Sequence, residues 1–182
     1  TGVLALNAVN TYGGTTTVSA GKLVIDGNNS AATGAVTVAA GATLGGIGTV
    51  GGAVSIASGG HLAVGNSPGT QTFSSTLAFA SGSIFDWELN AGTSDPGANT
   101  ANSGTYDKVV ANDDVTGTSV FTIALGTNAF TNAFWDTNKS WSDIFTGSGT
   151  FDLSTLFTTF GGSGVASNGL VTGQGQFSFT SN

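Results

Sequence analysis

The segment Gly34–Gly69 reads GAVTVAAGATLGGIGTVGGAVSIASGGHLAVGNSPG, and it contains one pattern twice. The copy at Val36–Gly41 is VTVAAG, and the copy at Val54–Gly59 is VSIASG. Looser copies end at Gly21 and Gly82, so the repeat glycines are 20, 18 and 23 residues apart. Self-similarity at a period of about 20 residues is typical of stacked supersecondary units, in which each copy packs against its neighbours.

Each copy has the properties of a short strand followed by a tight corner. Val36 and Val38 are two positions apart, so their side chains point to the same face of an extended chain. The glycine that follows ends the strand, because glycine adopts positive φ without strain. A second apolar element follows, for example at Leu44 and Leu62, and residues 14–90 lack helical periodicity. The sequence therefore predicts an all-β fold, a parallel β-solenoid whose copies stack about 4.8 Å apart.

Three segments resemble a known family. They are NTYGGTTTV at Asn10–Val18, GATLGGIG at Gly41–Gly48 and GHLAVGNSPGT at Gly60–Thr70. Together they are similar to the autotransporter-associated β-strand repeat, over about residues 7–90. The resemblance implies a secreted or surface right-handed parallel β-helix. It implies no catalytic residues, because the family shares no active site.

The chain departs from that family pattern at two places. It lacks a residue at Tyr12-Gly13, and it has Val64 where proline is usual. Further along, DKVV at Asp107–Val110 and FWDTNKSW at Phe134–Trp141 look like the later part of related proteins. Many of those proteins carry a C-terminal exosortase-type sorting signal, so the resemblance extends to surface proteins of the exosortase-sorted type.

The chain divides into three parts. Residues 1–90 carry the solenoid repeats, and residues 91–105 form a polar loop rich in Gly, Ser, Asn and Thr. Residues 106–182 continue as strands, with a short helical insertion at about residues 130–161.

Two capping patterns predict the insertion. Ser140 and Asp143 have capping-box spacing, although the second residue is Asp rather than Glu. Asp152 precedes four apolar residues at helical spacing, namely Leu153, Leu156, Phe157 and Phe160. After the insertion, Phe177 and Phe179 are expected on one face of a returning strand.

Composition excludes several classes of function. Only 7% of the residues are charged, the net charge is −7 and there is no arginine, so nucleic-acid binding is not expected. The absence of cysteine rules out disulfides and thiolate metal sites. No apolar run approaches the roughly 18 residues of a membrane span, and no cofactor is expected. The chain begins at Thr1 without a signal peptide, which suggests a mature or trimmed form of a secreted protein.

Two short motifs match catalytic signatures but lack the required context. Gly46–Gly51 is a GxGxxG, yet another strand repeat follows where dinucleotide binding needs a helix. Gly65–Gly69 is a GxSxG, yet Pro68 has no N–H to donate to an oxyanion. His61 is interpreted as a side chain at a coil corner rather than as a catalytic base.

The carboxylates give two further hypotheses. Asp86 and Glu88 share a strand face, and paired carboxylates about 5–9 Å apart hydrolyse glycosides. We favour the interpretation that they are solvated acids opposite a buried Trp87, so no enzymatic activity is expected. Four other aspartates are candidate calcium ligands: Asp95, Asp107, Asp113 and Asp114. The absence of the Asp-bearing nonapeptide calcium repeat argues against calcium binding.

The sequence predicts an extracellular structural protein that assembles into a homopolymeric surface fibre. The N-terminal strand is uncharged and free of proline, so its edge is suited to pair with, or be donated to, another chain. The predicted assembly residues are Val3, Leu4, Leu6, Val9, Phe177 and Phe179. Unlike ends that join head-to-tail do not close, and they therefore form a filament.

Three alternatives stay open. In the first, residues 1–12 pair with the first coil of their own chain instead of with a neighbouring chain. In the second, the chain is an adhesin or glycan-binding module that presents Trp135 and Trp141 to a cell-surface glycan. The least favoured alternative is a β-helix polysaccharide hydrolase that uses Asp86 and Glu88.

Overall fold

The computed structural model describes residues 2–66, 68–89, 106–125, 141, 143–171 and 175–179. These residues form an all-β structure in which parallel strands build a curled sheet. Most strands fall into three series, which alternate along the chain and pair in parallel within each series. The predicted polar loop at 91–105 and the residues 126–140 lie outside the described residues.

The first series contains the strands of the repeated VTVAAG pattern. Its members are β2 (Thr16–Val18), β5 (Val36–Val38), β8 (Val54–Ile56) and the first parts of β11 (Leu77–Leu89) and β13 (Val115–Leu125). The register aligns Val38 with Ile56 and Ile56 with Phe79. These side chains are 0%, 0% and 3% exposed, so the predicted core column is confirmed.

The second series carries the second apolar element of each repeat. Its members are β1 (Val3–Leu6), β3 (Gly21–Ile25), β6 (Ala42–Gly46), β9 (His61–Val64), the later parts of β11 and β13, and β15 (Phe157–Gly161). Leu23, Leu44, Leu62 and Phe85 are successive partners in register and are buried. This column forms a second wall of the core.

The third series consists of short strands, of which the sequence predicts only the one at Lys108–Ala111. Its members are β4 (Asn28–Asn29), β7 (Thr49–Val50), β10 (Thr70–Phe73), β12 (Lys108–Ala111) and β14 (Phe145–Thr146). Two-residue strands are too short for a period-2 pattern, which explains why only two elements per repeat are predicted. Val50 and Phe73, partners in register, are buried in the same core.

Gly41 and Gly59 occupy equivalent corners, as predicted, and the glycines of the two looser copies have similar φ values. Gly21, Gly41, Gly59 and Gly82 have φ values of 76°, 73°, 73° and 82°. This is the left-handed region that residues with a Cβ rarely adopt.

The helical insertion is much shorter than predicted among the described residues. Asp152 caps the helix, since its Oδ1 accepts a hydrogen bond from the Ser154 N–H at 2.9 Å. The helix α1 covers only Leu153–Leu156, so the prediction that Phe157 and Phe160 belong to it is wrong. Both lie in β15, where pairing with β13 and burial outweigh their helical spacing.

The returning strand is also displaced. An antiparallel pair of strands, β16 (Leu170–Val171) and β17 (Gly175–Gln176), precedes Phe177 and Phe179, which are not in a strand. The Phe179 ring lies 4.9 Å from that of Phe121 and stacks on Phe160 at 5.3 Å, between ring centroids. The C-terminal segment therefore covers this end of the core.

Candidate functional site

A cavity of about 270 Å³ lies on the outer side of β11. Its polar lining comes from Asp86, Glu88, Asp107, Lys22 and Asn66. The two β11 acids alternate with a buried Trp87, which is 1% exposed. This is the arrangement of the favoured interpretation, in which the acids face outward opposite the tryptophan.

His61 contacts the first of these acids. Its Nδ1 lies 2.6 Å from Asp86 Oδ2, and both side chains are about 30% exposed. The contact follows from the register, because His61 in β9 is the partner of Ile84 in β11, two residues before Asp86. His61 thus lies at the start of a strand, directly after a corner, and it pairs with an acid on the neighbouring strand.

Asp107 joins three segments of the chain at the cavity. It is 1% exposed, and its two carboxylate oxygens accept hydrogen bonds from the N–H groups of Gly69 and Glu88, each at 2.9 Å. Burial raises the pKa of Asp107 to about 7, although these two hydrogen bonds oppose the shift. The charge of Glu88 raises this pKa further, and the charge of Lys22 lowers it.

A second polar cluster lies where β12 approaches the start of β14. The Asp143 carboxylate accepts hydrogen bonds from the Tyr106 hydroxyl and from the Lys108 ammonium group. Desolvation opposes ionisation of Asp143, but these two donors outweigh it and lower its pKa. Desolvation and the adjacent Asp143 raise the pKa of Tyr106, so the phenol stays protonated.

Aromatic side chains surround this second cluster. Tyr106 is fully buried, and the Trp87 indole N–H donates to the Asp107 carbonyl oxygen at 3.0 Å. Trp141, a predicted glycan-facing residue, is half-buried and packs edge-on against Trp87 with ring centroids 5.4 Å apart. The other predicted glycan-facing residue, Trp135, lies outside the described residues.

The predicted assembly residues lie at opposite ends of the structure. β1 pairs with β3 of its own chain, and Val3, Leu4 and Val9 are 71%, 62% and 69% exposed. Leu6 is half-buried. β1 lies at the edge of its sheet, so its outer side has no strand neighbour within the described residues. Phe177 and Phe179, by contrast, pack against the chain's own core.

The structure describes only some of the remaining sequence motifs. The motif Gly46–Gly51 contains the strand β7 and is followed by the strand β8, not by a helix. Ser67 and Asp95 lie outside the described residues. Across the described ranges, no group of three or more His, Cys, Asp or Glu side chains is arranged to hold a metal ion. No helix in those ranges has the length and apolar character needed to cross a membrane.

Sequence reasoning missed Asp107 as a structural joint and missed the cluster of Tyr106, Lys108 and Asp143. Asp107 lies 38 residues from Gly69, and Lys108 lies 35 residues from Asp143. The polar sequence of residues 91–105 and the helical pattern interrupt the repeat between these positions, so no sequence period connects them. The residue types gave a signal, because the chain has only three lysines and Lys108 directly follows Tyr106 and Asp107.

A short part of the chain is similar in sequence to an autotransporter. Over 61 residues the chain is 56% identical to Adhesin BmaC autotransporter of Brucella suis biovar 1 (strain 1330). The match covers 34% of this chain and 2% of that protein's length. No family model matches the chain. No solved structure matches it either.

Proposed function

We propose that this chain is a non-enzymatic, surface-exposed β-solenoid with an adhesin-like role. The observation that carries the proposal is the 56% identity over 61 residues to an autotransporter adhesin. The parallel registers support the solenoid, because each strand pairs with its equivalent one repeat away, as Val36 does with Val54. The coil is proposed to be right-handed, as the resemblance to the autotransporter-associated repeat implies.

The proposed location is extracellular, on the cell surface or in a surface fibre. Two features support it besides the adhesin match. The chain has only 7% charged residues and no cysteine.

The adhesin role is tested by binding of the purified chain to a glycan array and to intact cell surfaces. We expect saturable binding to a defined glycan class. Trp141→Ala is expected to weaken binding at least tenfold, whereas Tyr12→Ala, which removes an aromatic ring from the N-terminal region, is not. Circular dichroism establishes that both variants fold. Absence of binding above that of the denatured chain would contradict the proposal.

A second candidate function is a filament subunit joined head-to-tail through strand pairing or strand donation. The observation that favours it is the outer edge of β1, where Val3 and Leu4 are exposed on an uncharged strand. Unpaired edges of this kind add further strands. Electron microscopy of the full chain and of a variant lacking residues 1–9 tests it. Filaments that persist unchanged without residues 1–9 rule out strand donation, and a full-length chain that stays monomeric rules out polymerisation.

A further inference from the structure

The side chains of Lys108 and Asp143 are placed for reaction as well as for ion pairing. Lys108 is the first residue of β12, and Asp143 lies two residues before β14. The two strands pair in parallel with Val109 beside Phe145, so the two side chains meet at the same end of adjacent strands. Lys108 Nζ contacts Asp143 Oδ2 directly.

The surroundings of this pair exclude most water. The side chains of Lys108 and Asp143 are only 10% and 20% exposed. Lys108 Nζ lies 5.0 Å from the centre of the Tyr106 ring, and Trp87 packs against that ring at 5.9 Å. Burial opposes the charge of Asp143, and formation of an amide removes the charges of both side chains.

We propose that Lys108 and Asp143 form an intramolecular isopeptide bond, an amide between Nζ and Cγ. The inference is independent of whether the chain is an adhesin or a filament subunit. It gives a chain without cysteine a covalent link between two neighbouring strands.

The reaction needs no oxidant and no cofactor. One proton passes from the Lys108 ammonium group to Asp143 Oδ2 along their contact, which leaves a neutral amine beside a carboxylic acid. Nζ then attacks Cγ, the new C–N bond forms, and the bond from Cγ to Oδ2 breaks. Oδ2 leaves as water. Its two hydrogens are the proton already transferred and a second proton from Nζ, and the one hydrogen left on Nζ becomes the amide N–H.

Two features of the site assist this step. The Tyr106 hydroxyl donates to Asp143 Oδ1, the oxygen that carries negative charge in the tetrahedral intermediate. Fixed contact between the amine and the carboxyl group replaces an encounter in solution, and such placement corresponds to an effective concentration of about 10⁵–10⁸ M. Tyr106 is a positioning residue, since it polarises the carboxyl group without joining the bond.

The intact mass and the tryptic digest of the purified full-length chain test whether the Lys108–Asp143 amide is present. We expect its mass to lie one water molecule below the mass calculated from the sequence. The chain has three lysines and no arginine, so trypsin cuts a linear chain after Lys22, Lys108 and Lys139. An amide at Lys108 prevents cleavage there, and we expect a branched product in which residues 23–139 carry residues 140–182.

Variants separate this bond from any other loss of water. Lys108→Arg keeps the positive charge but has no reactive amine, so its mass is expected to equal the calculated value. Asp143→Asn is expected to keep its calculated mass, because its side-chain amide does not accept the ammonium proton that the first step transfers. Tyr106→Phe is expected to form the bond about 10²–10³-fold more slowly, as after loss of an oxyanion donor. Lys22→Arg, the matched control, is expected to lose one water as the natural chain does.

The proposal is overturned if the natural chain has its full calculated mass and releases a linear peptide that ends at Lys108. A lost water accompanied by normal cleavage after Lys108 also overturns it, because the dehydration then lies elsewhere.

Discussion

The backbone N–H of Gly41 donates a hydrogen bond to the carbonyl oxygen of Gly59, at 2.7 Å. The N–H of Gly59 in turn donates to the carbonyl oxygen of Gly82, at 2.8 Å. The corner glycines of three successive repeats thus form one hydrogen-bonded ladder. Each has positive φ, so the corner depends on the conformational freedom of glycine as well as on space.

Gly41→Ala is expected to reduce the free energy of unfolding by about 1–2 kcal/mol, the cost of holding a residue with a Cβ in the left-handed region. A Cβ at Gly41 would meet no atom within 4 Å, so this loss reports backbone strain alone. Gly13→Ala is the matched control, because that glycine also has open space but no positive φ. Urea denaturation measures both. Equal stability of the two variants would show that the corner conformation is not what matters.

A second prediction concerns Phe79 in the core column of Val38, Ile56 and Phe79. Phe79 is 3% exposed, lies beside Ile56 and contacts the Phe157 ring at 6.3 Å between centroids. Phe79→Ala is expected to lower the free energy of unfolding by about 3–5 kcal/mol, because it leaves a cavity inside the stack. Val9→Ala, at a side chain that is 69% exposed, is expected to have little effect. A small loss at Phe79 would contradict the assigned register.

The residues of this column were predictable from the sequence, whereas the polar joints were not. The repeat of about 20 residues brings Val38, Ile56 and Phe79 to the same position in successive copies. This spacing alone predicts that they stack in one column. Phe157 and Phe160 show the limit of that reasoning. Their spacing fits a helix, but the exposed edge of β13 and the neighbouring rings select a strand. Asp107 has no local signal, since its partners at Gly69 and Glu88 belong to other repeats.

Asp107 makes the stability depend on pH. Its pKa is raised from 3.8 to about 7, so between these values the folded chain binds a proton that the unfolded chain has released. Stability therefore falls as the pH rises through this range, by up to about 4 kcal/mol at about 1.4 kcal/mol per pKa unit. Urea denaturation across this pH range measures the slope for the natural chain and for Asp107→Asn.

The Asp107→Asn variant is expected to lose that part of the slope, because its amide does not titrate. Asp113→Asn, at an exposed turn, is the control and is expected to keep the slope of the natural chain. Identical slopes for the natural chain and Asp107→Asn would exclude Asp107 as the titrating group.

The edge of β1 makes a prediction about assembly. If the chain polymerises through this edge, Leu4→Lys is expected to abolish filaments, because a charged side chain on an edge strand opposes the addition of another strand. Ser55→Lys introduces the same charge on the outer side of β8, in the middle of the stack, and is expected to leave filaments intact. Sedimentation and electron microscopy provide the measurement. Filaments formed equally by both variants would place the contact elsewhere.

Disulfide trapping tests whether successive repeats stack in parallel, with each strand of one repeat in register with its equivalent in the next. The chain has no cysteine, and Thr37 and Ser55 are exposed partners on neighbouring strands. Neighbouring strands lie about 4.8 Å apart, within the Cα separation of about 4.4–6.8 Å that a disulfide accepts. The pair Thr37→Cys and Ser55→Cys is expected to crosslink within one chain, whereas Thr37→Cys with Ala78→Cys, two strands apart, is not. Failure of the first pair, or equal crosslinking of both, would contradict parallel stacking in this register.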